Sequence, residues 1–71
     1  MKTTEKEYRT KEQFESIADD CLNGNWNDAA KDCVEHGFYA NDLIRFNQTY
    51  ELFDDAYDIA LLVEIAQKLR N

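Results

Sequence analysis

Apolar side chains recur every three or four residues along most of the chain, which is the spacing of amphipathic helices. The first two stripes are Phe14, Ile17, Ala18, Cys21, Leu22 and Trp26, Ala29, Ala30, Cys33, Val34. Thr10 followed by Gln13 fits a capping box, and Asn25 is a plausible cap for the second helix. Gly24 and Gly37 stand where left-handed residues end helices. The pattern predicts two antiparallel helices joined by a tight turn, with Trp26 packed against the first helix.

The second half of the chain predicts two more helices. Tyr39, Leu43, Phe46, Tyr50 and Phe53 recur at heptad-like spacing. We expect a third helix capped by Asn41, which either runs to Phe53 or breaks near 47–49, where weak helix formers cluster. A fourth helix is expected after a cap at Asp54 or Asp55, with a broad apolar face that would make it the most buried: Ala56, Ile59, Ala60, Leu62, Val63, Ile65, Ala66, Leu69. Lys68 and Arg70 complement its dipole.

Together these elements predict an all-α fold, a compact bundle of about four short helices. We expect residues 10–71 to form the single helical domain and residues 1–9 to be a flexible charged arm. Proline is absent and there are only two glycines, as suits helices joined by short turns. The longest apolar run, Ile59 to Val63, is too short for a membrane span, and the N-terminus lacks a signal-like stretch. We therefore expect a cytoplasmic protein with reduced cysteines.

Candidate catalytic and metal-binding residues are few. Cys33 and His36 are spaced to meet on a helix, but Cys33 belongs to an apolar stripe, where cysteine acts as a small hydrophobe. Residues 19–30 resemble a calcium loop superficially, yet Cys21 and Ala30 occupy two of the ligand positions. One histidine and two core-facing thiols do not supply the four ligands of zinc. The sequence predicts no catalytic, cofactor or metal site, and a protein that is not an enzyme.

The charge distribution is the most informative feature of the composition. The chain carries a net charge of −7, and residues 12–67 hold thirteen acids against only Lys31 and Arg45. The predicted protein interface comprises Glu51, Asp54, Asp55, Asp58, Asp28 and Asp32. If residues 51–58 are helical, their carboxylates share one face. Such a surface either meets a basic protein or serves solubility and helix capping. Direct nucleic-acid binding is disfavoured, because the second helix carries acidic side chains where a recognition helix needs basic ones.

A turn, Asn23-Gly24-Asn25, leads into Trp26-Asn27-Asp28-Ala29 within this acidic helical chain of 71 residues. In these respects the sequence resembles the small acidic all-helical proteins that bacteriophages encode, which include anti-defence inhibitors such as anti-CRISPR proteins. The resemblance implies an inhibitor that mimics nucleic acid and occupies a basic groove of a host complex in the host cytoplasm. It brings no catalytic or ligand motif. The alternative hypothesis is an assembly or adaptor module, such as a homodimer, whose binding would not weaken with salt.

Overall fold

The computed structural model describes residues 9–71, which form four helices and no strand. In chain order the helices are α1 (Lys11–Leu22), α2 (Trp26–His36), α3 (Ala40–Tyr50) and α4 (Ala56–Arg70). Helix α2 packs against both α1 and α4, while α3 contacts α4 and α1. The all-α prediction is thereby confirmed. The predicted arm lies outside the described residues except for Arg9. Its Nε forms a salt bridge with Oδ1 of Asp42 at 3.7 Å.

The predicted hairpin of α1 and α2 is present. The Thr10 hydroxyl accepts a hydrogen bond from the Gln13 N–H at 3.2 Å, and the Gln13 side chain accepts one from the Thr10 N–H at 3.0 Å. This is the predicted capping box. Gly24 and Gly37 adopt φ values of 82° and 77°, in the left-handed region that glycine enters at little cost. Asn25 occupies the cap position of α2, although its side chain makes no capping hydrogen bond.

Helix α3 differs from the prediction at both ends. Its cap residue is Tyr39 and not Asn41, because the Asp42 carboxylate accepts a hydrogen bond from the Tyr39 N–H at 3.0 Å. The helix ends where Glu51 turns left-handed with a φ of 54°. Phe53 therefore lies beyond the helix, in the connection 51–55. The alternative that carried α3 to Phe53 is wrong.

The side chain of Asn47 fastens this connection to α3. Its Oδ1 accepts a hydrogen bond from the Phe53 N–H at 2.8 Å, and its Nδ2 donates one to the Phe53 carbonyl at 3.1 Å. Phe53 is thus held in the core, with its ring centroid 5.7 Å from that of Phe14. Two residues later Asp55 caps α4, as predicted, by accepting from the Tyr57 N–H at 3.0 Å.

The core is aromatic on the α1–α3 side and lined by small residues on the α2 side. Thirteen apolar residues are buried: Phe14, Ile17, Ala18, Cys21, Ala29, Ala30, Cys33, Phe38, Leu43, Phe53, Ile59, Leu62 and Ala66. Trp26 packs against them from a partly buried position. Both cysteines are buried free thiols, as expected. Phe38 is fully buried although it belongs to no predicted stripe.

Helix α4 buries only part of its predicted apolar face. Ile59, Leu62 and Ala66 are buried, whereas Ala56 and Ala60 are exposed. The expectation that α4 is the most buried helix is wrong, since α1 buries four of 12 residues and α4 three of 15. The physical reason is that no helix within residues 9–71 covers the other side of the α4 stripe. That uncovered side faces a groove described below.

Arg70, predicted to serve the dipole of its own helix, instead binds the end of α2. Its Nη2 donates to the carbonyl of Phe38 at 2.7 Å and to that of Cys33 at 3.3 Å. Its guanidinium also lies 3.9 Å from the ring centroid of Tyr39. The positive charge therefore sits at the negative end of α2 and links the last residues of the chain to the first half of the bundle.

Candidate protein-binding surface

The six acidic residues predicted to form an interface fall into two groups in the structure. Glu51, Asp54 and Asp55 lie in the connection between α3 and α4, and we call them the connection acids. Asp28 and Asp32 lie on α2 and Asp58 on α4. The shared face was expected only if residues 51–58 are helical, and that condition is not met because the chain is not helical between the end of α3 and the start of α4.

The connection acids are held by backbone structure and not by ion pairs. Asn47 fixes the connection through Phe53, so the three acids occupy defined positions at one end of the α3–α4 pair. The Asp55 carboxylate is engaged in capping α4. Glu51 and Asp54 are exposed and have neither a hydrogen bond nor a salt bridge from their side chains within residues 9–71. Of the three connection acids, Glu51 and Asp54 therefore have carboxylates available to a partner.

The acids of α2 are electrostatically crowded. Burial raises the pKa of Asp32, and the charges of Asp20, Glu35 and Asp28 raise it further, while His36 opposes them. No lysine or arginine contributes to this shift. A raised pKa means that the carboxylate is stabilised too little by its surroundings, so an added cation would be favoured there.

Asp20 connects this group to α4. Burial raises the pKa of the Cys21 thiol to about 12, and the charges of Asp20 and Asp58 both add to the shift. The charge of Asp20 thus raises the pKa of both Asp32 and Cys21, and the charge of Asp58 also raises that of Cys21. We call Asp20, Asp28, Asp32 and Asp58 the helix acids. The predicted interface omitted Asp20, although it and Asp32 each directly precede a stripe cysteine, a repeat that marks equivalent positions on α1 and α2.

Few of the acids are neutralised within the structure. Of the thirteen acids in residues 12–67, two form salt bridges in the described part of the chain: Asp42 with Arg9, and Glu15 with Lys11 at 3.7 Å. Eleven of the thirteen are thus without one. Both bridges are to residues that precede α1 or begin it. Within residues 9–71 the other eleven acids outnumber the remaining bases, which are Lys31, Arg45, Lys68 and Arg70.

Three side chains at the end of α2 are the residues best placed to hold a cation. Ligand atoms of Asp32, Glu35 and His36 lie within 4.8 Å of one another. Three ligands on one helix end fall short of the four of structural zinc. Cys21 and Cys33 are buried in the core and do not belong to this cluster.

A groove between α3 and α4 is the feature that the sequence pattern did not reveal. It has a volume of about 300 Å³ and an apolar lining of Ala40, Ile44, Ala56, Ile59, Ala60 and Val63. A second hollow of about 340 Å³ shares Ala40 and Val63 and extends past Arg70. We call the first the α3–α4 groove. Asp54 and Asp55 directly precede Ala56, so these two connection acids adjoin one end of it.

No known protein family, curated protein or solved structure matches the chain. None of the four helices is both long enough and apolar enough to cross a membrane. The features that bear on function are the negative charge of the surface, the connection acids, the helix acids and the α3–α4 groove.

Proposed function

We propose that this chain is a non-catalytic binding protein that inhibits a basic, nucleic-acid-binding protein by occupying its nucleic-acid surface. The observation that carries the proposal is the set of eleven acids without a salt bridge in the described residues. Like charges at neighbouring helix positions, such as Asp28 and Asp32 on α2, cost a few tenths of a kcal/mol per pair. A basic partner would relieve that repulsion, which explains why a small bundle carries it.

Mimicry of nucleic acid follows from the nature of the charges. A nucleic-acid-binding protein holds phosphates with Lys and Arg side chains, and its affinity depends strongly on salt. Carboxylates at the connection and on the helices would meet the same cations, attract the partner over a distance and compete directly with the nucleic acid. An anti-defence role in a host cell, of the anti-CRISPR kind, is the specific form of this proposal that the phage resemblance favours.

The second candidate is an assembly or adaptor module, in which acidity serves solubility. The α3–α4 groove favours it, because an apolar hollow beside the exposed Ile44 is a surface that a helix of another chain could cover. A homodimer is one form of this alternative. Its stability would rest on apolar burial and would not fall with salt.

The testing experiment is capture of proteins from a nuclease-treated bacterial lysate on the immobilised chain, at low and at high salt. We expect a nucleic-acid-binding protein to be captured at low salt and released by added DNA or RNA. Glu51→Lys/Asp54→Lys should reduce capture at low salt severalfold while leaving the helical circular dichroism unchanged. Capture that resists both salt and nucleic acid would contradict the proposal and favour the assembly module.

A further inference from the structure

The α3–α4 groove is built to receive a helix. Ala40, Ala56 and Ala60 present little side chain, so another backbone can come close. Ile59 is buried at 5% exposure, whereas Ile44 remains 46% exposed. We propose that the groove binds an amphipathic helix of the partner, whose apolar side chains fill it while its Lys or Arg side chains meet the connection acids. This inference rests on the proposed function, since the same acids serve both.

The dimensions of the groove suit a helical occupant. The lining on α4 runs from Ala56 to Val63, which is about 10 Å along the helix axis and matches about two turns of a bound helix. A helix in a groove uses apolar anchors at positions i, i+3 or i+4, and i+7. The volume of about 300 Å³ holds a few aliphatic side chains of that kind. The adjoining hollow past Val63 gives the occupant room to extend.

The charges around the groove select a basic occupant. Asp54 and Asp55 directly precede Ala56 of the groove lining, and Asp54 lacks an ion pair within the described residues. Arg70 lines the adjoining hollow and keeps its positive charge there, so the basic side chains of an occupant are expected at the Ala56 end. A second copy of the chain, itself carrying −7, would bring like charges together. The occupant is therefore a basic amphipathic helix of a different protein.

The experiment measures the binding of three helical peptides to the full chain by fluorescence anisotropy. The first carries a Leu stripe and Lys elsewhere, the second replaces Lys by Glu, and the third scrambles the first so that the stripe is lost. Ile44→Gln and Ala60→Gln alter the groove at exposed positions. Leu22→Gln is the matched control, because Leu22 is 78% exposed beside a different hollow on α1.

We expect only the Lys peptide to bind, with affinity weakened about tenfold or more by Ile44→Gln and by Ala60→Gln and unchanged by Leu22→Gln. Equal binding of the scrambled peptide, or unchanged binding by both groove variants, would overturn the inference. So would a dimer by light scattering that Ile44→Gln dissociates, since a second copy would then be the occupant.

Lysate capture separates this inference from the proposed function. Capture that survives Ile44→Gln but is lost with Glu51→Lys/Asp54→Lys would leave the function standing and remove the groove from it. If the groove variants weaken peptide binding but no nucleic-acid-binding protein is captured, the groove is a helix-binding site and the proposed function is refuted.

Discussion

Replacing Asn47 by alanine tests how the connection acids are held in place. The change removes the hydrogen bonds of 2.8 and 3.1 Å that engage the N–H and the carbonyl of Phe53. At about 1 kcal/mol for each bond the loss is about 2 kcal/mol. Alanine recovers about 0.5 kcal/mol because it is the better helix former. We expect Asn47→Ala to lower the free energy of unfolding by about 1.5 kcal/mol, measured by urea denaturation followed by circular dichroism.

Asn41→Ala is the matched control. Asn41 lies on the same helix, is exposed, and makes no side-chain hydrogen bond in the described structure. The same chemical change there should be neutral or slightly stabilising. Amide hydrogen exchange at Phe53 should accelerate in Asn47→Ala and stay unchanged in Asn41→Ala. If the two variants unfold at the same urea concentration, the Asn47 side chain does not fasten the connection.

Three further predictions follow from named contacts. Arg70→Ala should lower the unfolding free energy by about 2 kcal/mol in urea denaturation, through the lost charge-assisted bonds at the end of α2, whereas Lys68→Ala should be near neutral. Burial raises the pKa of Cys21 and of Cys33 from an ordinary value of 9.0 to about 12, so the free energy of unfolding should fall as pH rises between these values, and should fall less in a variant with both cysteines replaced by alanine. Glu51→Gly should raise the free energy of unfolding by about 1 kcal/mol, because glycine adopts the left-handed φ of 54° without strain, and it should also weaken partner capture. An unchanged free energy of unfolding would show that Glu51 is not strained.

The helices were predictable where local signals agreed. The capping box at Thr10 and the glycines after α1 and α2 act within a few residues of chain, so the sequence shows them directly. Phe38 could not be found by periodicity, because it follows Gly37 and is placed in the core by the turn. The split face of α4 also depends on its neighbours. With apolar residues on several sides, only the packing of α2 and α3 decides which of them are covered.

The acidic surface was visible as composition but not as geometry. The sequence showed that Glu51, Asp54 and Asp55 are acidic, and a helix through them would have aligned them with Asp58. The clustered weak helix formers at 47–49 indicated a break nearby. They did not indicate that Asn47 bonds a residue six positions later, which is a tertiary contact. The α3–α4 groove was hidden for the same reason, since Ala56 and Ala60 belonged to a stripe interpreted as core and Ala40 belonged to no stripe.

The central claim is that the connection acids meet a basic partner. Its most direct test is the association rate of the captured partner with Glu51→Lys/Asp54→Lys, at low and high salt, beside the control Glu5→Lys/Glu7→Lys. The control makes the same change of charge outside the described bundle. We expect the first pair to slow association severalfold at low salt and to flatten its salt dependence, with the control close to wild type. Equal rates for both pairs, or equal losses, would contradict the claim.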